Sequence, residues 1–140
     1  MKFNVNQQDL QQALNYCQGV IEKRSTLPIL SNILLEAQNS KLTITATDLE
    51  IIFVHQINNI EILEEGKTTT TSSIMYDIVR KFSSGKKINL TLNDKNKLHL
   101  ESDKFYPLPQ FGEYIFHSNN VLFHHLKQKI CIYSIILKVF

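Results

Sequence analysis

Several residue groups in this sequence have the types and spacing to carry chemistry. Gly66-Lys67-Thr68 matches the end of a phosphate-binding loop, whose glycine-rich backbone cradles a nucleotide while the lysine reaches its phosphates. The first glycine of such a loop would fall at Glu61, so no cradle precedes the lysine. His124, His125 and Cys131 are metal-ligand types, but adjacent histidines point apart and no fourth ligand is spaced to join them. No metal and no cofactor is expected. Asp48 and Glu50 could be paired carboxylates, yet they follow a strand-like run at a turn, where Asp48 is expected to accept local backbone N–H bonds. No residue is left with a catalytic role.

The remaining candidates are cations. Lys23-Arg24, Arg80-Lys81 and Lys86-Lys87 are suited to phosphate contacts, although a solvated turn and compensation of a helix C-terminal dipole are their plainer readings. Fifteen Lys and Arg against thirteen Asp and Glu leave a net charge of only +2, far from the basic excess of chains that grip nucleic acid by charge alone. Any contact with DNA is therefore expected to be light. Cys17 and Cys131 stand isolated, without C-x-x-C spacing, which fits a reducing cytoplasm better than a disulfide framework. The opening Met1-Lys2-Phe3-Asn4-Val5 lacks the apolar run of a signal peptide, and the apolar end Ile130–Phe140 is about half of the roughly 20 residues a membrane helix needs. A cytoplasmic protein without a membrane segment is expected.

The elements that must position these residues follow from periodicity. Phe3 and Val5 alternate as in a half-buried strand, and Asn6 supplies an N-cap for a helix whose apolar stripe is Leu10, Ala13, Leu14, Cys17 and Ile21. Its outer face is rich in glutamine (Gln8, Gln11, Gln12, Gln18), which could skim DNA without holding it. A strand is expected from Leu27 through Leu35 with Pro28 at its start, then a turn at Gln38-Asn39-Ser40 and a hairpin partner over Leu42–Ala46. Ile51–Ile57 reads as a strand, Gly66 as a turn, and Thr68–Thr71 as a further strand. Ser72 or Ser73 would cap a second helix with Ile74, Met75, Ile78, Val79 and Phe82 on its buried face, stopped by Ser83-Ser84-Gly85. Ile88–Leu92 and Leu98–Leu100 complete a last hairpin. The order β-α-β-β-β-β-α-β-β is α+β, with both helices expected on one face of antiparallel sheets.

Arg24-Ser25-Thr26-Leu27-Pro28-Ile29-Leu30-Ser31-Asn32-Ile33-Leu34-Leu35 resembles the R-x-T-L-P-I-L-x-N-[IVL]-L-L signature of bacterial DNA sliding-clamp subunits, the beta (processivity-factor) subunits of DNA polymerase III. Leu42–Glu50 is similar to the same family's L-x-[IL]-x-[AG]-T-D-L-E, and Met1-Lys2-Phe3 to its opening. The resemblance spans roughly residues 1–105 and implies a DNA-clamp fold, a single domain of two helices packed on antiparallel sheets.

It further implies subunits of three such domains, two of which close head to tail into a ring whose helices face duplex DNA. Its family partners are a second clamp subunit, the clamp loader and DNA polymerase III. By this resemblance Lys23, Arg24, Arg80 and Lys81 are the DNA-contacting candidates, and Lys104, Phe105, Tyr106 and Leu108 fall on the edge that meets a neighbouring subunit. The sequence departs from the pattern at Ser73 and Ile74, where clamps commonly carry basic residues. It departs again over Asp103–Pro109, where the segment is shortened and Pro107 and Pro109 remove ladder donors. Residues 1–110 are accordingly expected to form the clamp-like domain and 111–140 a truncated, divergent start of a second one. The family's pocket for partner peptides, between its second and third domains, is not expected here. Three functions are carried forward: a domain of a non-catalytic DNA-replication clamp, a clamp remnant acting as an interaction module or without function, and a small nucleotide-binding enzyme built around Gly66–Thr68.

Overall fold

Alternation in Lys2–Asn6 makes β1, burying Phe3 and Val5 while Lys2 stays exposed. At Asn6 the backbone is still extended, and its side-chain Oδ1 accepts the Gln8 N–H at 2.9 Å, starting α1 (Gln7–Gln18) as expected. The computed structural model describes residues 1–21, 28–94, 97–102 and 116–117. A 3₁₀ turn at Pro28–Ser31 is followed by strands β2 (Asn32–Gln38), β3 (Lys41–Thr47), β4 (Ile52–Asn58), β5 (Glu61–Glu64) and β6 (Gly66–Thr71). Helix α2 (Ser72–Val79) then leads to β7 (Lys87–Leu92), β8 (Lys97–Ser102) and the two-residue β9 (Phe116–His117). The short β9 pairs with Lys97 and Leu98 of β8.

Two sheets result. One has the order β5-β1-β7-β8-β9, the other β4-β3-β2-β6, and every pairing is antiparallel. The fold is therefore the expected α+β arrangement. Its local chemistry is readable at the turns. Asn39 and Ser40 both have positive φ (52° and 57°), the conformation that closes a two-residue hairpin between Gln38 and Lys41. At the next turn Asp48 Oδ1 accepts the N–H groups of Glu50 (2.9 Å) and Ile51 (2.7 Å), the local role anticipated for it.

Several local expectations are corrected. The strand expected from Leu27 begins only at Asn32, opposite Thr71, because beyond Thr71 the partner chain turns into α2 and offers no ladder. Strand β5 was not anticipated, and Gly66, expected as a turn, lies inside β6 opposite Ala37. The N-cap of α2 is Thr71 rather than Ser72 or Ser73; its hydroxyl bonds to Asn32 Oδ1 at 3.1 Å instead of capping the helix. The helix ends at Val79, before Ser83-Ser84-Gly85, and Ile74 is 51% exposed while Met75, Ile78 and Val79 are buried. Successive helical residues are about 100° apart, so a stripe centred on Met75, Ile78 and Val79 leaves Ile74 at its margin.

One continuous core joins the sheets to the helices, with Phe3, Leu10, Leu14, Ile33, Leu35, Ile44, Met75 and Leu90 all inside it. Cys17 lies in this core, and burial pushes its thiol pKa up from 9.0 to about 11. An unfolded thiol ionises first as pH rises, so its contribution to stability is intact below pH 9, falls between 9 and 11, and then levels off. In native protein at pH 8, Cys17 should resist the alkylation that it undergoes to completion in denaturant. The Cys17→Ala variant should lack the Cys17 share of the alkaline loss of stability in urea titrations.

Candidate nucleic-acid interface

The two helices run antiparallel, and glutamines fasten them at both ends. Near the start of α1, Gln7 is 1% exposed and donates its amide to the Val79 carbonyl at 3.0 Å and to Gln11 Oε1 at 2.6 Å. The Gln7 backbone N–H bonds to the Lys86 carbonyl at 2.8 Å, and Gln8 Nε2 donates to Ser84 Oγ at 2.6 Å. At the other end Gln18 Nε2 donates to the buried Ser72 Oγ at 2.7 Å. Part of the glutamine-rich surface expected to be free for DNA is thus committed to holding α1 against α2. A buried amide such as Gln7 carries no apolar signal, which is why sequence periodicity missed it.

What the helices leave exposed is mostly uncharged: Gln8, Gln12, Asn15 and Tyr16 on α1, Ser73 and Ile74 on α2. Among the described residues, the exposed ionic side chains of this layer and the turn after α2 are Asp9, Asp77, Arg80 and Lys81, two acidic and two basic, with Lys86 half-buried. Arg80 lies 3.3 Å from Asp77 and 6.0 Å from the centre of the Tyr76 ring, so part of its charge is already engaged at the surface. Lys81 is exposed on the turn where α2 stops. Lys87, further on, is 3.8 Å from Glu61. Such exposed pairs are worth at most about 1 kcal/mol and are exchangeable for phosphate contacts.

The structure thus brings Arg80 and Lys81 together at the exit of α2. Lys23 and Arg24, and the edge candidates Lys104, Phe105, Tyr106 and Leu108, lie outside the described residues, as do His124, His125 and Cys131. Gly66-Lys67-Thr68 is not a loop before a helix. It is paired strand, opposite Ala37, Glu36 and Leu35, with Thr68 buried, and nothing there can wrap a phosphate. Among the described residues no cluster of three or more His, Cys, Asp or Glu side chains could hold a metal ion, and no helix is long and apolar enough to cross a membrane.

The described residues thus form an antiparallel helix pair laid on two antiparallel sheets. Residues 1–114 match the model of the DNA polymerase III beta subunit, N-terminal domain. The beta sliding clamp of Caulobacter vibrioides is 37% identical over 93 residues, covering 66% of this chain and 25% of that protein. That of Escherichia coli K12 is 35% identical over 98 residues, covering 70% and 27%. Among solved structures, Caulobacter crescentus pol III beta superimposes with a TM-score of 0.75 at 30% identity, over 86% of this chain and 30% of that one. The chain belongs to the DNA polymerase III beta subunit family, through its N-terminal domain. It spans about a quarter of the length of the curated relatives it matches.

Proposed function

We propose that this domain is a wall segment of a DNA sliding clamp, a non-catalytic processivity factor in DNA replication, with α1 and α2 turned toward the duplex. The observation that carries this reading is the helix layer itself: rigidly fastened, polar and balanced in charge at its surface. A surface that must let DNA pass should interact with it weakly, and retention then comes from the topology of a closed ring rather than from affinity. Arg80 and Lys81, with Lys23 and Arg24, are the proposed phosphate contacts. Lys104, Phe105, Tyr106 and Leu108 are the proposed edge toward a second subunit, and residues 111–140 the proposed start of a following domain. In this reading the clamp works in the cytoplasm with a clamp loader and DNA polymerase III, neither of which this domain recruits through the family's peptide pocket.

Salt dependence tests it. If two or three of these four cations neutralise phosphates at one time, the slope of log K against log salt should be about −2 to −3, and binding at physiological salt should be no tighter than about 10⁻⁴ M. Fluorescence anisotropy of a labelled duplex between low and physiological salt measures both. Micromolar affinity with a much steeper slope would mean a gripping protein and would sink the proposal.

A further inference from the structure

The register of an antiparallel pair is normally fixed because the two faces of a strand differ, so that a slip of one residue exchanges core-facing and outward-facing side chains. Strand β6 lacks that safeguard over residues 68–71, where both faces read threonine. These four residues stand opposite Leu35, Leu34, Ile33 and Asn32 of β2. Thr68, Thr69 and Thr70 are buried, and their hydroxyls have no hydrogen-bond partner among the described residues, so no side-chain bond holds them in place. The bond from Thr71 Oγ1 to Asn32 Oδ1 needs only a hydroxyl opposite Asn32, which the next residue, Ser72, also carries.

The ends of the run decide which slip is open. In one direction Lys67 would enter the buried place of Thr68 opposite Leu35, and burial of an unpaired charge closes that route. In the other direction each place from 68 to 71 is taken by the following residue and keeps its hydroxyl. Thr69, Thr70 and Thr71 then fill the buried places, and Ser72 comes opposite Asn32. The surplus residue is absorbed as a bulge in which exposed Lys67 and Thr68 together oppose Glu36, while Gly66 keeps its place against Met1. Helix α2 is suited to the change: its N-cap, Thr71, makes no side-chain capping bond, whereas Ser72 in that extended position offers its oxygen to the N–H groups of the first turn. The slip gives up the bond from Gln18 Nε2 to Ser72 Oγ and one residue of helix. We propose that β6 is a slip strand, exchanging between the described register and one advanced by a residue, in which Ser72 leaves α2, caps a helix beginning at Ser73 and releases Gln18 of α1. A movement of about 3.3 Å along β6 thereby unlocks the helix pair at that end. The device rests on strand register and is independent of the DNA reading.

Relaxation dispersion on the ¹⁵N-labelled whole chain tests the slip. A minor state of about 0.1–10% should appear as exchange at residues 32–35, at residues 68–74 and in the Gln18 side chain, with β7 and β8 silent. Position 71 is half-buried at the strand end, so Thr71→Lys is tolerated in the described register, but slipping would carry the lysine into the buried place opposite Ile33. That variant should reduce the exchanging population at least about tenfold. Thr68→Lys acts the other way, because slipping moves its lysine from a buried place to the exposed bulge. It should make the slipped register the major one, read as backbone contacts of Asn32 with Ser72 in place of Thr71. Circular dichroism checks that both variants fold; if Thr68→Lys does not, the parent and Thr71→Lys decide between them. Flat profiles along β6 and β2 in the parent, or exchange undiminished in Thr71→Lys, overturn the proposal.

Discussion

Replacing Phe3 with alanine is expected to lower the free energy of unfolding by about 3–5 kcal/mol, the range for removing a large aromatic side chain from a packed core. Phe3 is completely buried, and β1 is the strand on which the five-stranded sheet is built, with Ile62 of β5 and Leu90 of β7 as its cross-strand neighbours. Deleting the ring therefore opens a void where β1 meets the layer holding the helices. Since domains of this size are stable by only about 5–15 kcal/mol, the loss takes a large part of the total. Urea unfolding followed by circular dichroism should show the midpoint falling by roughly 2–3 M at an unchanged slope. A change below about 1 kcal/mol would mean that the site collapses around the void and that the packing described is not tight there.

Gly66→Ala is the second large effect, and it comes from overpacking. A Cβ on Gly66 would lie 2.8 Å from Met1 Cβ and 3.3 Å from Met1 Cα, and neither atom is the free end of a flexible side chain. Met1 is itself 5% exposed, so relief requires backbone movement where the chain passes from β5 into β6 and so from one sheet to the other. A cost of about 1–3 kcal/mol in the same urea assay is expected. The glycine that resembles part of a phosphate-binding loop is thus required by close packing against the first residue. An alanine variant as stable as the parent would contradict that reading.

The parts of the fold legible in the sequence are those where one physical signal acts alone. Leu42, Ile44 and Ala46 alternate with threonines, and β3 is read from that pattern without help. Asn6 ahead of Leu10, Ala13, Leu14 and Cys17 fixes α1 in the same way. Where two influences compete, the sequence misleads. Glu61-Ile62-Leu63-Glu64 has no strand-like alternation and becomes β5 because β1 offers an edge to pair with. Leu27–Leu35 reads as one apolar run, yet the position where β6 turns into α2 decides where β2 can begin. Of the proposed site, the cations Arg80 and Lys81 and the family motif can be read in the sequence. The amide bonds of Gln7 and Gln18 that hold the helices together were not, because a glutamine on a helix gives no sign of whether it faces water or a neighbouring carbonyl.

In the proposed reading those amide bonds matter because a sliding surface must be firm without being adhesive. The layer achieves firmness by spending its polar groups on the protein itself, at Val79, Ser72 and Ser84. Among the described residues of the helices and the turn after α2, exposed acidic and basic side chains are equal in number, which in the same reading limits adhesion. Ser73 and Ile74, at the start of α2, add no charge, so the phosphate contacts proposed for this layer lie toward the other end of that helix.

The most direct test is to titrate ¹⁵N-labelled protein with a short duplex at low salt and map the amide shifts. The account predicts that they cluster on the exposed helix layer, at Gln8, Gln12, Asn15, Arg80 and Lys81, in fast exchange, and fade toward physiological salt. Shifts confined to the outer surface of the four-stranded sheet, at Lys41, Thr43 and Gln56, or none at low salt, would contradict it.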